Sequence, residues 1–420
     1  MSNTTDWTIV CHSDNGNDAT VSRITKNAAG ITVENIPQTP ATGKGRNQGP
    51  AFFGLDSNNL CLVHSPTEGK IIKQDTLAAD AFPAYPYRDS DSQTIWYMND
   101  GDKDSGCDDV SCKTGSSVTV VRHDDTAELI KTICVGRGHH VTTFTGPDTS
   151  FPDRKKRAFV SNLLDGTVSI IDNDPNSNDY LNVIAGINLC DAKRENGQDS
   201  LVPNNAFPHG MVYSSVTGKL YNLNNGYGSI AVICPDSLKI EQSFELEGCS
   251  NLLDHPDGKF LIGKGADRKS DNDHVIGKLS VINVETGEET SVQNLPDFYP
   301  SVYRFSQDGN KLYVTSAATG KGVQKENLKY NIMQIWDTSK LPALTLSKEL
   351  TIGEADCGRR PIAFPQVNGK TEAVLVPNPT EGSMSILDPE TDEILKTVNL
   401  GVTAKKELNF EFWEKQMYGA

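Results

Sequence analysis

Short apolar segments recur along the 420-residue chain at nearly constant spacing. The clearest copies, all but the first ending in a polar or small residue, are ATVSRI from Ala19, KIIKQD from Lys70, SVTVVR from Ser117, TVSIID from Thr167, SIAVIC from Ser229, KLSVIN from Lys278, IMQIWD from Ile332 and SMSILD from Ser383. Successive copies begin 47 to 62 residues apart, and eight of them fill nearly the whole chain, which marks a repeat architecture. A second apolar segment precedes each copy, for example WTIVCHSD from Trp7, RAFVSN from Arg157, KLYNLNN from Lys219 and KLYVTSA from Lys311. Before it comes another strand and a tight turn, as in NLLDHPDGKFLIG, where Gly supplies positive φ without steric cost. A fourth strand follows each copy, as in DEILKTVNLG. Four antiparallel strands per repeat, with no sustained 3.6-residue period, predict the blades of a β-propeller.

Trp7 already begins the second strand of the first repeat, so that blade lacks its innermost strand. The segment from Glu407 to Trp413 is the expected replacement, pairing with the N-terminal blade and closing the ring, which removes two exposed sheet edges. The expectation is an all-β, eight-bladed propeller forming a single domain over residues 1–420. Seven blades remain if the short second repeat, from Pro50 to Asp80, is not a full blade.

The segments KLYVTSA, RAFVSN and TVSIID, with openings such as FPHGM, resemble the YVTN-repeat and lactonase-like β-propellers over the whole length. That resemblance implies the fold. It leaves the activity open, because the superfamily includes enzymes, metal proteins and scaffolds.

Charge narrows the partners. With 39 basic and 55 acidic residues the chain carries −16, which repels phosphate backbones and argues against nucleic acid as a partner. No run of 18 apolar residues exists, so no membrane span is expected. The polar start Met1-Ser-Asn-Thr-Thr carries no secretory core, leaving a cytoplasmic chain or an exported one without its leader. Nine cysteines leave at least one free or bonded between chains. Cys107 and Cys112, in the acidic loop SGCDDVSC, are spaced for a local disulfide, which would place the protein in a periplasmic or extracellular compartment.

In a four-stranded blade two kinds of loop lie at each end. The turns SSVTG, HPDG, SQDG and QVNG at one end are short, whereas the stretches Met98–Gly115, Asp191–Ala206, Lys264–Gly277 and Ser316–Tyr330 at the other are long. Long loops on a rigid scaffold usually carry function, including contact with a protein partner. Histidines follow the long loops: His12 and His64 end second strands, His139 and His140 open an innermost strand in GRGHHVTTF, and His209 opens the next in FPHGM.

Imidazoles converging on a central channel mouth suit copper or zinc, so His139, His140, His209, His12 and His64 are the expected metal ligands. The His139-His140 pair is similar to the His pairs that hold copper in the propeller domain of nitrous oxide reductase. Alternation along a strand would send the two rings to opposite sides, leaving one for the channel. Each imidazole could equally pack against the neighbouring blade and bond a carbonyl.

A second chemistry comes from Asp356-Cys-Gly-Arg-Arg-Pro361. Arg359 and Arg360 beside neutral His209 form a carboxylate or phosphate grip with a general base, and lactonase-like and muconate-cyclising propellers use similar groups in this channel. The arginines could instead pair with Glu354, Asp356 or Asp297 to tie blades together. Three readings therefore stand. The first is a metal-dependent enzyme or metal-binding protein using the histidines. The second is a metal-independent lactonase- or lyase-like enzyme acting on a small anionic substrate, with His209, Arg359 and Arg360 catalytic. The third is a non-enzymatic interaction scaffold.

Overall fold

The computed structural model describes residues 7–14, 19–38, 45–47, 52–55, 60–65, 70–76, 83–89, 91–102, 115–123, 128–267, 274–317, 327–354, 360, 362–401, 409–413 and 417–418. Residues 7–21, 36–86, 102, 139, 140 and 409–418 enter only through their backbone, where described. Two compact units divide the chain: residues 1–75, 267–277 and 295–420, and residues 76–266 and 278–294.

Antiparallel sheets follow one another along the sequence. In the fourth repeat the strands are His139–Thr145, Arg157–Asn162, Thr167–Asp172 and Val183–Asn188. In the fifth they are Pro208–Ser214, Lys219–Asn224, Ser229–Cys234 and Lys239–Glu245. The third, sixth and seventh repeats follow the same order. In the first, Trp7–Asp14 pairs on one side with Ala19–Asn27 and on the other with Asn409–Trp413, the expected C-terminal strand. The last sheet has three strands, Val374–Asn378, Ser383–Leu387 and Ile394–Asn399, with Ala363 bridging to Leu375.

The second repeat differs from expectation. Its sheet runs Gly45–Asn47, Phe52–Leu55, Leu60–Ser65 and Lys70–Thr76, so KIIKQD is the edge strand and not the third. Only six residues separate Thr76 from Pro83, where the next sheet begins.

Burial explains the apolar copies. SIAVIC is buried at every position, whereas the outer strand KIEQSFE beside it is exposed at all but one. A strand covered on both faces needs no polar side, so its sequence runs apolar without alternation. The covering comes from neighbouring sheets. Phe159, Val168 and Ile170 of the fourth repeat pack with Leu220, Ala231 and Ile233 of the fifth. Trp96, Met98 and Val120 of the third pack with Ala158 and Val160 of the fourth. Tyr313, Met333 and Ile335 of the seventh meet Phe364, Val374 and Val376.

Polar residues at the ends of second strands are also repeated. Asn162 donates its amide to Thr167 at 3.0 Å and Ser169 at 2.9 Å on the adjacent third strand. Asn99 does the same to Ser117 and Thr119, and Asn378 to Ser383 and Ser385. Gly136 and Gly353 lie against two of these amides. A Cβ at either would come within 2.6 Å of Asn162 or 2.5 Å of Asn378, so the close approach requires glycine.

Candidate functional site

Every innermost strand described in the third to seventh repeats opens with an irregularity. His139 pairs with Asn162, but Thr142 pairs with Val160, so one extra residue has entered the strand. Pro208 pairs with Asn224 and Gly210 with Leu223, which makes His209 the extra residue. The same one-residue offset follows Pro83, Cys249 and Pro300. Counted from the paired opening residue, the bulge position holds Ala84, His140, His209, Ser250 and Ser301. Such bulges re-aim the chain and are common beside active sites.

Second-strand hydroxyls supply the bonds that the bulge breaks. Ser161 accepts from the Val141 N–H at 3.0 Å and donates to the Val141 carbonyl at 3.4 Å. Thr315 makes the equivalent pair with Val302, both at 3.3 Å. The Ser or Thr preceding the end of RAFVSN and KLYVTS is thus the residue that sustains the bulge. Simple alternation at His139-His140 is broken by it.

His140 and His209 hold the same bulge position in neighbouring strands. Thr143 donates to the Met211 carbonyl at 2.8 Å, which fixes those strands side by side. His209 is half-buried and follows Phe207, whose φ of +47° is unusual for a bulky residue.

The stretch before His209 is a fixed platform. Glu195, nearly buried, accepts from the Tyr227 hydroxyl at 2.6 Å, the Asn205 N–H at 2.7 Å and the Asn205 amide at 3.0 Å. These bonds, that from Tyr227 foremost, hold its carboxyl below the usual carboxylate range. Burial, reinforced by Glu195, pushes the Tyr227 hydroxyl well above its ordinary value. Asn204 donates to the Gly166 carbonyl at 3.1 Å and to Asn188 at 3.0 Å, tying the platform to the fourth repeat. Of the four long stretches expected at this end, this one alone is described throughout. The central parts of the other three lie outside the described residues.

Arg360 belongs to the other unit. It is fully buried and donates to the carbonyls of Tyr330 at 2.8 Å and Gly353 at 2.7 Å. Its Nε and Nη1 find no partner, and no carboxylate lies within ion-pair distance among the described residues. The alternative pairing with Glu354 or Asp297 is not made by Arg360, Asp297 instead meeting the His274 ring at 2.9 Å, and Asp356 lies outside the described residues. Burial pulls the Arg360 guanidinium down to about 10, against the opposing pull of Glu381 and Glu354. Arg359 lies outside the described residues.

Among the expected metal ligands only His209 has a described side chain. Among the described residues no group of three His, Cys, Asp or Glu side chains is placed to hold a metal ion. Cys134 is disulfide-bonded, and Cys190, Cys234 and Cys249 are free thiols. Cys107 and Cys112 lie outside the described residues. Among the described residues no helix is long and apolar enough to cross a membrane.

No family model matches the chain, and no curated protein matches it. Solved structures do. The periplasmic gluconolactonase PpgL of Pseudomonas aeruginosa aligns with a TM-score of 0.58 at 14% identity, covering 97% of this chain and 99% of that one. Apo AztD from Citrobacter koseri aligns at 0.56 and 12% identity, covering 98% and 99%. The fold shared with these structures is a β-propeller. A third propeller match, the dihydro-heme d1 dehydrogenase NirN, has a TM-score of 0.55 at 13% identity and covers 86% of this chain, which spans 66% of NirN. At these identities the likeness is one of architecture, and the four-stranded sheets described above are the blades of a propeller.

Proposed function

We propose that this β-propeller binds copper or zinc through His140 and His209, with His139 beside them, and that it works as a lactonase-like enzyme or a metal carrier outside the cytoplasm. The observation that carries the reading is the shared bulge, which puts a histidine at one structural position in two adjacent blades. Imidazole nitrogen suits both metals. A metal held there would polarise a lactone carbonyl or lower the pKa of a bound water. The platform behind Glu195 would hold His209 in place for that task. Eight blades closed by Asn409–Trp413 on Trp7–Asp14 is the architecture that fits this reading, and His12 and His64 are its further candidate ligands. The Cys134 disulfide supports an oxidising compartment, and the similarity to a periplasmic gluconolactonase agrees with it.

Metal analysis of protein purified without chelator or metal affinity tests the reading. Near-stoichiometric copper or zinc is expected in the wild type and lost in His209→Ala and His140→Ala. A metal-free wild type after reconstitution overturns it.

One observation favours a second reading. Arg360 is a buried cation with no carboxylate in ion-pair contact among the described residues, and such a group favours an anion. A metal-independent hydrolase of a small anionic lactone would use it as the anchor. Turnover of an anionic sugar lactone by metal-free protein, lost in Arg360→Met, is the expected result; equal turnover in the variant refutes it.

A further inference from the structure

Most turns between first and second strands are short. Four residues separate Ser214 from Lys219, and five separate Phe305 from Lys311. In the fourth blade eleven residues, 146–156, separate Thr145 from Arg157, and the last three of them form with Arg157 the basic run Arg154-Lys155-Lys156-Arg157.

This loop is rigidly built. The Asp148 carboxylate accepts from the Ser150 N–H at 2.8 Å, the Phe151 N–H at 2.7 Å and the Tyr213 hydroxyl at 2.8 Å. Arg154 is buried, lies 4.6 Å over the Phe151 ring and donates to the Gly218 carbonyl at 2.5 Å. Gly218, at φ +66°, can carry no side chain there, since a Cβ would lie 2.5 Å from Phe151 and 2.6 Å from Arg154. The Arg154 charge is met by Asp236 at 3.4 Å.

Beside this floor opens a cavity of about 500 Å³, lined by Phe151, Pro152, Asp153, Lys155, Arg157 and Asp236 among others. That volume is ample for a small organic molecule. Arg157 donates through Nη1 to the carbonyls of Pro235 and Asp236, and its Nε and Nη2 have no protein partner among the described residues. Lys155 is exposed and its ammonium has no protein partner either. Lys156 is likewise unpaired and lines an adjoining cavity of about 190 Å³ with Arg88. At the larger cavity Arg154 and Asp236 cancel and Asp153 faces Lys155 and Arg157, while at the smaller one Asp89 and Asp91 balance Arg88 and Lys156, which leaves one positive charge in excess. In a chain of net charge −16 this is a local reversal of sign.

We infer that this cavity is a binding site for a small phosphate monoester, the anion held by Lys155 and Arg157 and the apolar body lying against Phe151 and Pro152. Guanidinium and ammonium donors form short charge-assisted bonds with phosphate oxygens. The site is independent of the histidines and stands whether or not a metal binds at His209.

Titration calorimetry at low salt with phenyl phosphate and inorganic phosphate tests it on the full chain. The wild type should bind phenyl phosphate more tightly than inorganic phosphate, and the Lys155→Glu/Lys156→Glu variant at least tenfold more weakly. Both lysines are unpartnered, so the variant should keep the wild-type near-UV dichroism, and Lys155→Gln provides a milder second test with an intermediate loss. Rising ionic strength should weaken binding. His209→Ala should bind phenyl phosphate as the wild type does. No binding by the wild type, unchanged affinity in both lysine variants, or loss in His209→Ala would each overturn the assignment. Vesicles containing phosphatidylglycerol provide the other source of phosphate. Sedimentation with them, without binding of phenyl phosphate, would make the patch a lipid contact and refute the soluble-ligand site.

Discussion

The ammonium of Lys311 lies 2.7 Å from the carboxylate of Asp392 and 2.9 Å from the carbonyl of Pro389, 78 residues further along the chain. Arg157 makes the same reach, also across 78 residues, to the Pro235 carbonyl. Both residues open the second strand of a blade, in KLYVTSA and RAFVSN, and both grip the turn after the third strand of the following blade. Tyr313, two residues on, donates to the other Asp392 oxygen at 2.9 Å, and burial beside that carboxylate pushes its hydroxyl far above its usual value. The repeat thus carries a clasp between successive blades as well as their apolar layer.

Removing that clasp should cost stability. Lys311→Met leaves Asp392 without its cation at a mostly buried position, with an expected loss of about 1–3 kcal/mol in urea unfolding. Lys370→Met breaks a pair with Glu390 in which both side chains are largely exposed, and no measurable change is expected.

Core and edge strands should respond differently to truncation. Leu220 is fully buried between the fourth and fifth blades, so Leu220→Ala should destabilise by about 2–5 kcal/mol. Ile240, on the outer strand of the same blade and 38% exposed, should change stability by only about 0.5 kcal/mol when replaced by Ala.

The platform before His209 should depend on pH through Glu195. Its folded carboxyl lies below the ordinary value near 4.3, so its contribution is fully present above that pH and is lost as the pH falls through the folded value. Hydrogen exchange of residues 191–206, corrected for intrinsic rates, should accelerate below about pH 4. Glu195→Gln should remove that pH dependence and leave the segment faster at pH 7.

Arg360→Met should leave thermal stability unchanged or raise it, because a buried cation in ion-pair contact with no carboxylate among the described residues gives way to an apolar chain of similar length. A fall of several degrees would show that the two carbonyl bonds outweigh the cost of burying the charge.

Alkylation under denaturing but non-reducing conditions should label Cys190, Cys234 and Cys249 and spare Cys134. Mass analysis after reduction would then show which of the remaining cysteines shares its bond. Labelling of Cys134 before reduction would exclude the disulfide and remove the support it lends to export.

The blades were legible because their third strands are covered on both faces. Continuous apolar runs such as SIAVIC and TVSIID follow directly from that, and their spacing reveals the repeat. The edge role of KIIKQD could have been read from the few residues between Thr76 and Pro83. The bulges are harder to see, because a one-residue offset in pairing changes no hydrophobic pattern. Their trace is the Ser or Thr of RAFVSN and KLYVTS, a polar residue in an otherwise apolar strand. Loop length points to the histidine end and away from TGPDTSFPDRKKR, a long turn at the opposite end. For Arg360 the sequence offers an anion grip or a carboxylate partner, and the bonds to the Tyr330 and Gly353 carbonyls have no trace in it.

The pairing of Trp7–Asp14 with Asn409–Trp413 also sets an order of assembly. On the ribosome the first blade emerges with three strands and waits for almost the entire chain to be made before its fourth arrives. At about 5–20 residues per second that interval is tens of seconds, during which the edge of Trp7–Asp14 is open to pairing with other strands. A chain released before Asn409 would never be able to cover that edge, so early termination should yield aggregates and not a shorter soluble protein.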